Sequence, residues 1–254
     1  MKKKVILVLT LLAAATRVAA ESPDQVLKLF RENSQKIKSL KTTMIQEIKR
    51  GENYNYIKAE MCSKGKKIFI KVPPPQDFTL VTNGQKAYFY LPQENTVYVY
   101  DPGQYPREYQ DALEQQKEKV DLVPDWKRVG NERQGWNVLE VWEGRPAGQD
   151  QFVSRIQIWI DPASGLLYRM ETFDLHGKLV NRIRMERYRQ INGVWLNMRT
   201  LSWTRADNLV VESTSEYRDP QVNVEIDDSL FEFSPPAGAK IKDMTAQILD
   251  KKKN

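Results

Sequence analysis

One histidine and one cysteine among 254 residues leave this chain short of the side chains that do chemistry at neutral pH. The histidine, His176, sits in Asp174-Leu175-His176-Gly177-Lys178. That is a hairpin-turn context with no nucleophile placed beside the ring, so a hydrolytic triad has no base to build on. The cysteine, Cys62, has no partner for an intramolecular disulfide. Lys64, Lys66 and Lys67 lie close to it, but with no second cysteine or motif it reads as a small half-buried strand residue. No P-loop, GxGxxG fingerprint, HExxH or paired Cys/His spacing is present, which leaves nucleotide and metal chemistry without an anchor. Acidic residues are plentiful, but nothing in the sequence positions a glycosidase-type carboxylate pair. The expectation is a non-enzyme with no cofactor and no metal.

Long hydrophobic runs are equally scarce. The only one is Val5 to Ala15, inside MKKKVILVLTLLAAATRVAA, which has three lysines, an apolar stretch and small residues before Glu21. This is the layout of a cleavable export signal, with the cut expected after Ala20, and the apolar stretch is shorter than the roughly 20 residues of a spanning helix. No cysteine stands at that cut to carry a lipid anchor, so a soluble exported product is expected.

The formal charge of +6 is also largely terminal. Losing Lys2, Lys3, Lys4 and Arg17 with the signal takes 39 basic residues to 35 against 33 acidic. Setting aside the tail lysines Lys251, Lys252 and Lys253 leaves 32 against 33. A near-neutral body lacks the electrostatic footprint of a nucleic-acid-binding protein.

What the sequence has in quantity is strand. Ser22-Pro23-Asp24-Gln25 signals a helix start, and Val26, Leu27, Phe30, Ile37 and Leu40 predict one apolar helix face running to about Ser39. Strands follow at about 42–49, 54–62, 66–72, 78–82, 86–91 and 96–100, separated by short connections rich in turn formers such as Asn83-Gly84. Residues 101–125 break the pattern with a polar helical excursion, readable as a solvated surface helix or as a movable cover. Strands resume at about 135–143, 152–160, 166–174, 178–188, 194–203 and 208–218. About a dozen strands in one meander predict a barrel or strongly curved sheet in a single domain, 21–240, ahead of a polar tail, 241–254. Both faces of several strands are apolar, so one face is expected to pack on helices while the other lines an interior.

Three ordered stretches carry a family resemblance. They are Leu80-Val81-Thr82-Asn83-Gly84-Gln85-Lys86-Ala87-Tyr88-Phe89-Tyr90, then Ile158-Trp159-Ile160-Asp161-Pro162-Ala163-Ser164-Gly165-Leu166, and the ending Phe231-Glu232-Phe233-Ser234-Pro235-Pro236-Ala237-Gly238-Ala239. Together they resemble the periplasmic outer-membrane lipoprotein carriers, the LolA-like proteins of the lipoprotein-sorting superfamily. The resemblance implies a mainly β fold, an unclosed antiparallel β-barrel of about 11–12 strands, with helices forming a lid over an apolar cavity. It also implies a monomeric periplasmic carrier that binds acyl chains of lipoproteins or lipids. An inner-membrane releasing complex and an outer-membrane acceptor would be its partners. A longer second half, from Leu166 to Arg218, is similar to the wider superfamily that includes sigma-regulator-like proteins. The alternative function is therefore a periplasmic sensor or interaction module that binds envelope proteins without transporting them.

Strand alternation nominates Met44, Ile48, Ile57, Met61, Ile68, Ile70, Phe89, Leu91, Ile156, Ile158, Met170, Ile183 and Met185 as the lipid-binding lining. Each is equally readable as an ordinary core residue. The family's lid-holding arginine has its nearest counterpart here in Lys64, whose ammonium lacks the planar five-donor fork of arginine.

Overall fold

The computed structural model describes residues 23–101, 123, 125–146, 153–206 and 209–244. The expected signal segment, nearly all of the 101–125 excursion and the lysine tail lie outside the described residues.

Helix α1 spans Pro23–Gln35, with Pro23 in the first turn, where its missing N–H costs nothing. Val26 and Leu27 are buried and Phe30 packs beside them, as the apolar spacing predicts. The helix stops four residues early. Asn223 explains the stop: its Oδ1 accepts from the Lys38 N–H at 2.8 Å and its Nδ2 donates to the Lys36 carbonyl at 2.9 Å. Backbone groups that would otherwise continue a helix are thereby satisfied by a residue far along the chain. Ile37 and Leu40, expected on the helix face, instead join a separate cluster with Val194, Leu196 and Val222.

The strands are β1 Ser39–Arg50, β2 Asn53–Lys64, β3 Lys67–Val72, β4 Phe78–Thr82, β5 Ala87–Leu91, β6 Thr96–Tyr100, β7 Lys127–Gln134, β8 Asn137–Gly144, β9 Arg155–Ile160, β10 Leu167–Phe173, β11 Leu179–Ile191, β12 Val194–Ala206, β13 Leu209–Val222 and β14 Lys240–Asp243. They form one sheet in the order β14-β6-β5-β4-β3-β2-β1-β13-β12-β11-β10-β9-β8-β7. Two meanders, β1 to β6 and β7 to β13, are thus joined back to back by the antiparallel pairing of β1 with β13. Among the described strands, only β14 runs parallel to its neighbour, β6. The first and last strands of the order are not paired with each other, so the sheet is unclosed, as the resemblance implied.

Among the described residues the sheet has 14 strands rather than about a dozen. The sequence signal missed β7, KRVGNERQ, which has no apolar alternation and is exposed along almost its whole length. It also assigned Ile241–Asp243 to a polar tail; these residues hydrogen-bond along the edge of β6.

Both faces of the sheet are covered, at different places. On one face, called here the helix face, α1 packs over β8 to β10, where Val26 and Leu27 meet Trp142, Ile156, Ile158, Ile160, Leu167 and Met170. The β9–β10 turn seats the helix: Asn33 Nδ2 donates to the Ser164 carbonyl at 2.6 Å. Inside that turn, the Asp161 carboxylate accepts from the Ala163 N–H and the Ser164 hydroxyl. On the opposite face, residues 224–233 cross the first meander as a strap. Ile226 and Phe231 bury Cys62, and Phe233 stacks on Tyr88 with ring centroids 5.2 Å apart.

Candidate ligand-binding face

Register fixes which side chains share the helix face. One row runs Trp142, Ile158, Met170, Ile183, Ser202, Ser213, Ile48, Asn55 across eight strands. Another runs Thr42, Met61, Ile70, Leu80, Phe89, Tyr98 across β1 to β6. Since side chains alternate with period two, all thirteen nominated residues fall on this one face. Met44 and Ile57 stand between the two rows, Ile68 and Leu91 beside the second, and Ile156 and Met185 beside the first.

Burial divides the set. Ile156, Ile158 and Met170 are buried in the core beneath α1, with Ile183 and Met185 packed against them. These five do the work of ordinary core. Met44, Ile48, Ile57, Met61, Ile68, Ile70, Phe89 and Leu91 are half-buried and belong to none of the buried clusters. The structure adds Leu80 to them, between Ile70 and Phe89, and an aromatic ladder from Phe78 through Phe89 to Tyr98, with centroids 5.1 and 6.5 Å apart. Leu80, Phe78 and Tyr98 carry the same alternation in sequence as the residues nominated, and register alone brings them into line.

The residues named in these rows carry no formal charge, but the second row ends on Lys242 of β14, whose ammonium donates to the Tyr98 hydroxyl at 3.3 Å. The opposite face of the second meander holds paired charges, with Arg182 on Glu171 at 2.7 Å, Arg169 on Glu132, and Arg187 and Arg199 on Glu216 at 3.2 and 3.4 Å. Arg187, at φ 55, reaches that side. Where β10 meets β11, burial raises the Tyr188 phenol well above its ordinary range, and its hydroxyl donates to the Leu167 carbonyl at 2.5 Å.

Lys64 is on the strap face. Its ammonium donates to the Ile226 carbonyl at 3.2 Å and to Asp228 at 3.1 Å, while Lys67 takes the other Asp228 oxygen at 2.8 Å. Among the described residues its latch is to the strap. His176 is exposed at its turn, where Asp174 Oδ1 accepts from the backbone N–H groups of His176 and Lys178. A groove of about 910 Å³ near α1 is lined by Leu27, Arg31, Val123, Trp126, Glu143 and Arg145 among others. None of the thirteen nominated residues lines it, and its mixed charge suits an acyl chain poorly.

The folds of solved proteins match this arrangement. A DUF1329 family protein from Desulfovibrio piger superposes with a TM-score of 0.61 at 18% identity, over 82% of this chain and 95% of that one. A putative outer membrane lipoprotein-sorting protein domain from Vibrio parahaemolyticus gives 0.61 at 13% identity, over 81% and 95%. A LolA superfamily protein from Nitrosomonas europaea gives 0.57 at 14% identity, over 83% and 97%. In sequence, one family model, described as "-like: Uncharacterized protein", matches residues 109–234, and no curated protein matches. These superpositions make this a LolA-like fold.

Proposed function

We propose that this chain is a periplasmic carrier that takes up acyl chains of lipoproteins or lipids on the helix face of its first meander and passes them to a membrane acceptor. The observation that carries the reading is the half-buried apolar field from Met44 to Phe89, bordered at Tyr98 by the Lys242 ammonium, a surface too apolar and too continuous to be ordinary solvent-facing sheet. Such a face needs no catalytic group: shielding an acyl chain is worth about 0.8 kcal/mol per buried CH₂. Methionines at 44 and 61 supply side chains that adapt to different chains. The export-signal pattern read in residues 1–20 supports a location where such cargo is handled, and the solved neighbours described as lipoprotein-sorting and LolA proteins support the reading at the level of fold.

The test pairs two changes on the open field, Met61→Asp and Phe89→Asp. Native mass spectrometry of the detergent-free mature protein is expected to show a stoichiometric acyl species on the wild type. The double variant is expected to keep its fold and lose at least tenfold in acyl affinity. A folded double variant that binds normally excludes this face. A wild type that stays free of ligand after incubation with lipids and triacylated peptides favours the interaction-module reading.

A further inference from the structure

The helix face is not apolar throughout. Where β11, β12, β13 and β1 meet, between the α1-covered core and the open apolar field, it carries a band of uncharged hydrogen-bonding groups. Ser202 and Ser213 share a hydrogen bond at 2.8 Å, Gln46 Nε2 donates to Ser215 Oγ at 3.3 Å, and Asn181 Nδ2 donates to Thr204 Oγ1 at 2.9 Å. These pairs are cross-strand neighbours in register, so the band continues the rows that hold Ile183, Met185, Ile48 and Ile57. All are half-buried.

Two atoms at the inner end of the band have no hydrogen-bond partner among the described residues. Thr172 is only 2% exposed, yet its Oγ1 is unpaired, and so is the Oδ1 of Asn181 directly across from it. A buried polar group without a partner is disfavoured, and its retention here marks a place where a hydrogen-bonding group is expected to arrive. The hydroxyl of Thr172 can donate and the carbonyl of Asn181 can accept. The bonded pairs themselves carry no formal charge, and the cation next to them, Arg50, closes the row of Asn181, Thr204 and Val211 from the exposed end of β1, so the half-buried centre of the band is matched to a neutral group.

We propose that this band seats the uncharged linkage of an acyl amphiphile, an amide or ester, while the chain extends over Met44, Ile57, Met61 and Phe89. The inference rests on the acyl-binding reading and gives it polarity: the linkage lies at the middle of the sheet and the chain runs toward β6. An amide is the better match, because it offers a carbonyl to the hydroxyls and an N–H to Asn181. The selectivity this produces is for the junction between chain and headgroup, which a purely apolar wall cannot read.

Four probes of similar chain length separate the possibilities: N-methyl dodecanamide, methyl dodecanoate, tridecane and the dodecanoate anion. Each is titrated into the mature protein by displacement of an apolar fluorophore. The wild type is expected to prefer the amide to tridecane by tenfold or more, with the ester between them and the anion weaker than the ester. Ser202→Ala with Ser213→Ala is expected to bring the amide-to-alkane ratio below threefold while tridecane binding stays within twofold. Gln46→Leu, on a different strand, gives the same trend if the serine pair proves unstable. Equal binding of amide and alkane by the wild type, or tightest binding of the anion, overturns the linkage seat and leaves the acyl-binding reading standing. Failure of all four probes to bind overturns both.

Discussion

Gly165 and Leu29 are in backbone-close contact: a Cβ on the glycine would stand 2.6 Å from the Leu29 Cβ and 2.8 Å from its carbonyl carbon. The glycine is also at φ +68, closing the β9–β10 turn. Gly165→Ala therefore carries two costs, about 1–2 kcal/mol for a left-handed conformation and about 1–3 kcal/mol for overpacking. Gly177→Ala is the control, since its φ of +75 is similar but nothing lies within 4 Å. Urea unfolding should show a clearly larger loss at 165 than at 177. Equal losses would mean that α1 does not press on the turn.

The strap should loosen in acid. Lys67, and then Lys64, donate to Asp228 and hold its carboxyl below the ordinary carboxylate range; the Ser229 N–H does the same for Asp227. A carboxyl depressed in the folded state contributes stability above its unfolded pKa, and that contribution is lost as pH falls through the folded value. Between pH 6 and 3, the melting temperatures of wild type and Asp228→Asn should converge, with the wild type higher at pH 6. Both groups are solvent-exposed, so the gap at pH 6 should be small and should shrink further in high salt. Parallel curves would assign the acid sensitivity to other carboxyls.

The legible parts of this molecule are those whose causes are local. Asn83-Gly84 folds its hairpin within four residues: Asn83 Oδ1 accepts from the Gln85 and Lys86 N–H groups, and the glycine takes φ +90. The strands on either side, β4 and β5, accordingly lie where alternation and turn chemistry put them. The end of α1 was illegible because Asn223, which terminates it, lies 185 residues from Lys38 in sequence. For the site, period two assigns the right face to Phe89 and Ile158 alike. It does not say which of them a helix covers, and only packing shows Ile158 to be fully buried while Phe89 is half-open. The serines of the polar band look like solvent-facing strand residues in isolation. Their meaning comes from Ser202 and Ser213 meeting across β12 and β13 in the middle of an apolar face.

Cys62 offers a direct readout of the strap. Burial pushes its thiol up, with Lys41 acting in the opposite sense, and Ile226 and Phe231 pack directly over it on the strap face. A buried, poorly ionised thiol reacts slowly, because only the thiolate attacks and only an exposed one is reached. Modification by an aromatic disulfide reagent at pH 8 should therefore wait on release of residues 224–233, while the urea-unfolded chain reacts at once. Phe231→Ala removes the fully buried ring at the centre of that contact, a change that costs about 3–5 kcal/mol when a core phenylalanine is truncated. The variant should speed the reaction at least tenfold at a urea concentration where the far-ultraviolet spectrum is still native. Asp228→Asn, which removes only the exposed ion pairs, should speed it less. If Phe231→Ala reacts no faster than wild type until the whole sheet unfolds, the strap and the sheet come apart as one unit and the thiol reports global stability.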